Sequence, residues 1–185
     1  MALNSGAVRV AGTGSIWKAP LGTTLPSDST TAWGTGFVNL GYATDGFTVT
    51  QDLKKQDITA WQTLTPVRSL ATALIRKLTF EALESNINTV PLAWGGATMT
   101  PGLAGIYTLA IPDGALTDFI LGVDWSDGTT SQRIIVKQAS LLTLPAIKFV
   151  RTDAIRYPLE VQAIAPADGT ASIVVYGVDS IVSGV

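Results

Sequence analysis

Few residues of this chain have the side chains that enzymes use for acid–base or nucleophilic chemistry. The 185 residues include no histidine and no cysteine, which excludes imidazole-based triads, thiol nucleophiles, disulfides and the usual zinc sites. Carboxylates remain as candidates, because a pair of acids alone can hydrolyse a glycoside. No spacing among the 14 acidic residues singles out such a pair. We therefore expect no enzyme, no metal site and no cofactor.

Two short motifs resemble ligand-binding sequences but lack the features that complete them. Residues 12–15 are rich in glycine, yet they lack the preceding strand, the following helix and the lysine of a phosphate-binding loop. We interpret them as part of a flexible arm. Asp124, Asp127 and Asp168 suggest calcium ligands, but no Asp-x-Asp-x-Asp-Gly loop contains them. They are more typical of turns.

The five tryptophans offer a different chemistry, since aromatic rings stack on sugars and also anchor protein interfaces. Trp94 and Trp125 lie in apolar patterns, and we expect them in the core. Trp17, Trp33 and Trp61 lie in irregular segments and are free to contact a partner. Interface anchoring is the favoured role, and a carbohydrate-binding β-sandwich is the alternative from another functional class.

Composition favours assembly as well. Charged residues make up only 14% of the chain, against about 25% in soluble domains, and charge is depleted where surface becomes interface. The first 44 residues carry three charges, Arg9, Lys18 and Asp28. Within this arm, residues 16–26 mix proline, glycine and threonine with large apolar residues, which predicts neither a helix nor a regular strand. The arm must therefore pack against its own domain or another copy.

Partners of other kinds leave no signature in the sequence. A net charge of −2 provides no general basic surface for nucleic acid. The amino terminus lacks the basic and then apolar pattern of a secretory signal, and no run reaches the roughly 20 apolar residues of a membrane span. We expect a chain that is made in the cytosol and does not bind a membrane.

Alternating apolar residues and Asp-Gly pairs predict antiparallel strands. Residues 119–125 turn at Asp127-Gly128 and return over 133–137, while residues 159–163 turn at Asp168-Gly169 and return over 173–178. A third pair joins residues 47–52 with 78–83. These two strands are separated by a long loop at about 51–73, although two further short strands closed by a surface loop fit equally well.

One short helix is predicted at about 86–94, in a segment from 85 to 112 that has no charge. Ser85 or Asn88 caps it, Pro91 lies in its first turn, and Gly95-Gly96 ends it. The expected fold is mainly β: an antiparallel β-sandwich or partly closed barrel with one short flanking α-helix. An extended N-terminal arm with the first strand region occupies 1–44, and a single domain occupies 45–185.

The order of these segments resembles the major tail proteins of long, flexible-tailed bacteriophages, especially phages of actinobacteria. The resemblance covers nearly the whole chain. It is carried by Ile16-Trp17-x-Ala19-Pro20-x-Gly22-Thr23-x-Leu25-Pro26, Gly36-Phe37-Val38-x-Leu40-Gly41-Tyr42, Asp45-Gly46-Phe47-Thr48, Asp57-Ile58-x-Ala60-Trp61, the helix ending at Gly95-Gly96, and the closing segment from Arg156-Tyr157-Pro158-Leu159 to Tyr176.

The resemblance implies a structural virion protein whose hexameric rings stack into the hollow tail tube that DNA crosses during ejection, without specific binding. It also implies a β-sandwich with a flanking helix, in which the sheets of six subunits join into a barrel around the lumen. The implied partners are other copies, a tape-measure protein inside the tube, and terminator and distal tail proteins at its ends. The alternative within the same particle is a head–tail connector or tail terminator ring.

The arm and the long loop are then the segments that contact neighbouring rings. We expect Trp61→Ala, or deletion of residues 1–30, to impair tube assembly while the domain still folds. The residues expected at assembly interfaces are Trp17, Pro20, Leu25, Trp33, Lys54, Lys55, Asp57, Trp61 and Arg68.

Overall fold

Ten β-strands, one α-helix and one 3₁₀ turn form the regular structure of the computed structural model, which describes residues 8–114 and 116–179. Residues 1–7 of the expected arm and 180–185 of the expected domain lie outside the described residues. The elements are β1 (Thr13–Pro20), β2 (Val38–Asn39), β3 (Ala43–Ile58), β4 (Arg68–Ala82), α1 (Thr89–Ala93), β5 (Thr98–Pro101), the 3₁₀ turn (Leu103–Gly105), β6 (Tyr107–Ala110), β7 (Phe119–Asp127), β8 (Thr130–Thr143), β9 (Tyr157–Ala163) and β10 (Ile173–Val178).

Eight strands form one antiparallel sheet in the order β2-β1-β7-β8-β9-β4-β3, with β10 also paired to β8, while β5 and β6 form a separate hairpin. The main core takes side chains from β1 and β7 at one end of this order and from β9 and β4 at the other. The sheet therefore curls around a shared core without closing into a barrel. The predicted fold class, mainly antiparallel β with one short helix, is confirmed.

Strand β7 shows why the sheet has two apolar faces. Leu121 and Val123 point into the main core, while Ile120 belongs to a second cluster on the opposite face. Successive side chains of a strand alternate between faces, so all of Phe119–Val123 is buried. Because the second face is also covered, the strand reads as a continuous apolar run.

One of the predicted hairpins is confirmed and another is wrong. Strands β7 and β8 meet at Asp127-Gly128 as expected. The residues around Asp168-Gly169, however, form no hairpin, because β9 and β10 lie one after the other along the same edge of β8. Ile164 N–H donates to the Gln138 carbonyl (2.9 Å), and the Ser172 carbonyl accepts from Lys137 N–H (3.0 Å). The 14 residues of β8 are long enough for both strands.

The expectation of an irregular, flexible N-terminal segment is wrong over residues 13–20. Strand β1 pairs with β7 along its whole length, from Thr13 opposite Ser126 to Pro20 opposite Phe119. Ile16 is 4% exposed and Ala19 is fully buried. Pro20 stands at the end of the strand, where its missing N–H is tolerated. The proline and glycine content concealed a strand that the core requires.

The expected loop at about 51–73 is also wrong in its bounds. Strands β3 and β4 pair from Ala43 opposite Ala82 to Ile58 opposite Arg68, so only residues 59–67 connect them. The alternative prediction, two further short strands closed by a surface loop, is closer to the structure. The added strand residues are continuations of β3 and β4, however, and do not form separate short strands. A register shift leaves Thr72 of β4 unpaired between Lys54–Ala73 and Lys55–Ala71 and interrupts the alternation of β4, which obscures that strand in the sequence.

Helix α1 is present but shorter than the predicted 86–94. Neither predicted capping side chain acts at its start; instead Asn86 Oδ1 accepts hydrogen bonds from the backbone N–H of Asn88 and Thr89, both at 2.8 Å. The helix ends, as predicted, where Gly95 and Gly96 adopt positive φ. Trp94 is 36% exposed, so its predicted core position is wrong.

Candidate assembly surfaces

The first candidate surface is the outer part of the β3–β4 hairpin, residues 51–76. Strand β9 pairs with β4 only over Lys77–Ala82, so beyond this point the hairpin has two strands and no third among the described residues. Every residue from 48 to 59 is exposed. A two-stranded hairpin without a supporting layer is marginally stable in water. We therefore expect contact with another molecule to stabilise the projecting hairpin.

Large apolar side chains are exposed along this hairpin. Leu53 and Leu74 lie opposite one another and are 49% and 48% exposed. At the tip, Trp61 and Leu64 are essentially fully exposed. Exposed apolar side chains elsewhere on the hairpin are Ile58, Val67 and Leu70. Several exposed large apolar side chains on one element are typical of a protein interaction site.

Five of the predicted interface residues lie on this hairpin. Lys54, Lys55, Asp57 and Arg68 are exposed, and none forms an ion pair with another residue in the part of the chain that the structure describes. Trp61 stands at the tip. The fold thus collects both unpaired charges and apolar side chains on one projecting element, as expected for the rim and centre of an interface.

The other four predicted interface residues lie in or beside β1. Trp17 and Trp33 are half-buried and stack with their ring centres 5.7 Å apart. Leu25 packs against the same cluster, and Pro20 is exposed at the strand end. The buried members of this second cluster are Ala19, Phe37, Ile120 and Ile135. Residues 21–37 therefore pack on the subunit's own sheet. Of the two surfaces that the sequence analysis left open for the arm, its own domain or another copy, this segment uses its own domain.

Arg133 anchors this segment, and sequence reasoning missed it. Its side chain is almost fully buried and donates two hydrogen bonds to the Asp124 carboxylate, at 2.7 and 3.2 Å. It also donates to the backbone carbonyls of Asp28 (2.9 Å) and Thr31 (2.8 Å). The guanidinium carbon lies 4.1 Å from the centre of the Trp33 ring. The available signal in the sequence was the position of Arg133, a charged residue directly before the apolar residues Ile134-Ile135-Val136 of β8.

The turn that Arg133 grips is fixed by Asp28. Its carboxylate accepts hydrogen bonds from the hydroxyl and N–H of Thr31, both at 2.6 Å, and from the N–H and hydroxyl of Thr30, at 2.7 and 2.9 Å. These bonds, the Thr31 hydroxyl first, hold the pKa of Asp28 well below its ordinary value. Deleting residues 1–30 would remove β1 and this turn together, so the structure opposes the expectation that the shortened domain still folds.

A groove lies between β1 and β3, where the curled sheet fails to close. Its volume is about 450 Å³, and its lining comes from residues 11–16, 41–47 and 123–125. The Thr44 hydroxyl is buried there without a hydrogen-bond partner among the described residues. Tyr42, also in the lining, is 77% exposed. The groove is therefore accessible from outside the subunit.

Several strand edges remain open among the described strands, including those of β3 and β10. Strand β3 is the last in the sheet order, and β10 has a partner on one side only. An unpaired edge offers a row of backbone N–H and C=O groups to another chain. The edge of β3 is 16 residues long, far longer than the short edges that proteins use to avoid association.

A further apolar surface lies on the uncharged segment from 85 to 112. Its β5–β6 hairpin is largely exposed, with Leu103 at 89% and Ile106 at 69%.

Within residues 8–114 and 116–179, no three acidic residues are grouped so as to hold a metal ion. No helix in the described residues is long and apolar enough to span a membrane.

A family model described as phage tail tube protein matches residues 1–181. The match includes the N-terminal segment, the projecting hairpin and all ten strands. No curated protein matches the chain.

Proposed function

We propose that this chain, which belongs to the phage tail tube protein family and is thus a structural component of the phage tail, forms rings of six copies. These rings stack into the hollow tube. DNA crosses this tube during ejection. The observation that carries the proposal is the projecting β3–β4 hairpin, which has exposed apolar side chains and no partner within its own described chain.

Within a ring, the open strand edges supply the contact between neighbours. A copy that presents two different edges makes a head-to-tail contact, and such contacts close into a ring when the rotation permits. We assign this contact to two of the open edges, that of β3 beyond Phe47 and that of β10. Their pairing would satisfy backbone groups that are otherwise exposed and extend the curled sheet across subunits around the lumen.

Between rings, the hairpin supplies the contact. From Gln51 to Ile58 it advances seven residue steps beyond the pairing with β9, or about 24 Å at roughly 3.4 Å per residue. This reach takes Trp61 away from its own domain and towards a copy in the adjacent ring. Lys54, Lys55, Asp57 and Arg68 then pair with charges of that copy, at the rim of the apolar contact.

The remaining partners follow from the same role. A tape-measure protein occupies the lumen during assembly, terminator and distal tail proteins bind the two ends, and the tube assembles in the host cytoplasm. The net charge of −2 suits a channel that passes DNA without retaining it. The role requires no catalytic residue. The alternative of a carbohydrate-binding module is disfavoured, since Trp17 and Trp33 stack on each other rather than face solvent.

Sedimentation of a matched pair of variants tests this proposal. Leu53→Asp places a charge on the exposed hairpin, and Ala167→Asp places the same charge at an exposed position between β9 and β10. We expect the parent protein and Ala167→Asp to sediment as multi-subunit species at micromolar concentration. Leu53→Asp should sediment as single rings or smaller species, without stacked tubes, and its melting temperature should be unchanged. Normal assembly of Leu53→Asp would refute the role of the hairpin.

A further inference from the structure

We infer that the tip of the β3–β4 hairpin, residues 59–67, docks in the groove between β1 and β3 of another copy. The inference rests on the proposed function, because it requires copies of the chain to assemble. It identifies the site that binds the hairpin tip. Neither the family assignment nor the exposed surface of the hairpin identifies that site.

The tip has the properties of an inserted anchor. Its nine residues carry no charge, and Trp61 and Leu64 are essentially fully exposed. The turn is ordered by backbone hydrogen bonds from Thr63 N–H to the Ala60 carbonyl (3.3 Å) and from Val67 N–H to the Ile58 carbonyl (2.9 Å). Tryptophan is the side chain most enriched at the energetic centres of interfaces. A pre-ordered tip also loses little conformational entropy on binding.

The groove has the properties of a receptor for such a tip. Its volume of about 450 Å³ falls within the roughly 300–1,000 Å³ of pockets that enclose small organic groups, so it can accept two large side chains. Only two lining residues are charged, Asp45 and Asp124, and Asp124 is already bound by Arg133. An uncharged tip therefore meets a largely uncharged lining.

The groove also has unused hydrogen-bonding capacity. Strand β2 covers β1 only at Trp17 and Lys18, so residues 13–15 have no described strand on that side. Residues 43–47 belong to the open edge of β3. The buried Thr44 hydroxyl lacks a partner among the described residues. The backbone and the threonine hydroxyls of an inserted tip can satisfy such groups, whose burial without a partner is costly.

The length of the hairpin requires the receptor to be on another copy. Phe47 lines the groove, and the tip begins after Ile58, eleven residue steps further along β3. These steps span about 37 Å at roughly 3.4 Å each. The tip therefore cannot fold back into the groove beside its own strand, whereas the tip of a neighbouring copy can enter it.

Cysteine cross-linking tests this contact cleanly, because the chain has no cysteine of its own. Gln62→Cys places a thiol at the tip while leaving Trp61 intact, and Asp45→Cys places one at the groove. Assembled mixtures of these two single variants should form at least about tenfold more disulfide-linked heterodimer than the control mixture, since a disulfide requires Cα atoms within roughly 7 Å. The control mixture pairs Gln62→Cys with Thr108→Cys, on the exposed strand β6.

The outcomes separate the inference from the proposed function. Tubes whose cross-linking does not exceed the control would overturn the docking site and leave the tube intact. Failure of the unsubstituted protein to associate would overturn both. If the substitutions themselves prevent assembly, cryo-electron microscopy of unsubstituted tubes decides: Trp61 between β1 and β3 of another copy supports the inference, and Trp61 at any other position overturns it.

Discussion

Replacing Arg133 by alanine is the perturbation whose consequences the structure defines most fully. The substitution removes both hydrogen bonds to Asp124 and the donors to the carbonyls of Asp28 and Thr31. It also removes the cation from the face of Trp33. We therefore expect residues 21–37 to detach from the sheet and expose the second apolar cluster.

The size of the effect follows from burial. The Arg133 side chain is 4% exposed and that of Asp124 is 26% exposed. Removing one partner of a buried ion pair costs about 3–5 kcal/mol, and the partial exposure of Asp124 places this pair near the lower value. The melting temperature should fall by about 6–12 °C, since a chain of this size loses roughly 2–4 °C per kcal/mol.

Two measurements check this expectation. Urea unfolding gives the loss of stability, and brief chymotrypsin digestion reports release of the segment through faster cleavage after Trp33. Arg133→Lys should give an intermediate loss, because an ammonium cannot make the two-point contact with a carboxylate. Arg151→Ala, at an exposed position, is the control. A loss below about 1 kcal/mol in Arg133→Ala, typical of a surface pair, would refute the anchoring role.

Two further predictions concern the same region. In Gly122→Ala the new Cβ would overlap the Trp33 ring, whereas in Gly177→Ala its nearest contact is 3.6 Å. Urea unfolding should show a loss of about 1–3 kcal/mol for the first and little change for the second. Because the pKa of Asp28 is lowered on folding, its stabilising contribution is present above the unfolded value near roughly pH 4 and is lost at lower pH. The acid-induced fall in melting temperature should therefore be smaller in Asp28→Asn, and an identical pH profile would contradict the assigned hydrogen bonds.

Local patterns in the sequence predicted the strands whose turns and periodicity are self-contained. Asp127-Gly128 specified a hairpin because both strands and the turn are contiguous. The pairing of β10 with β8 depends instead on which edge is free after folding, and no local pattern encodes it. Strand β1 was missed for the same reason, since its register is set by β7, about 100 residues away.

The candidate surfaces were predictable to a similar degree. Trp61 and the charged residues near it were identified from their unusual composition, and the fold places them on one exposed hairpin. Trp17 and Trp33 also lie in segments of unusual composition, but they stack on each other within the subunit. What separates the two groups is Arg133, whose contact with the Asp28 carbonyl joins positions 105 residues apart in sequence.

Electron microscopy of the purified protein over a concentration series distinguishes a tube subunit from a protein that forms monomers or single rings. We expect hollow tubes of stacked rings, with six-fold symmetry in end views and more tubes at higher concentration. Monomers or unstacked rings at every concentration would contradict this expectation, and unstacked rings would favour a connector or terminator role instead.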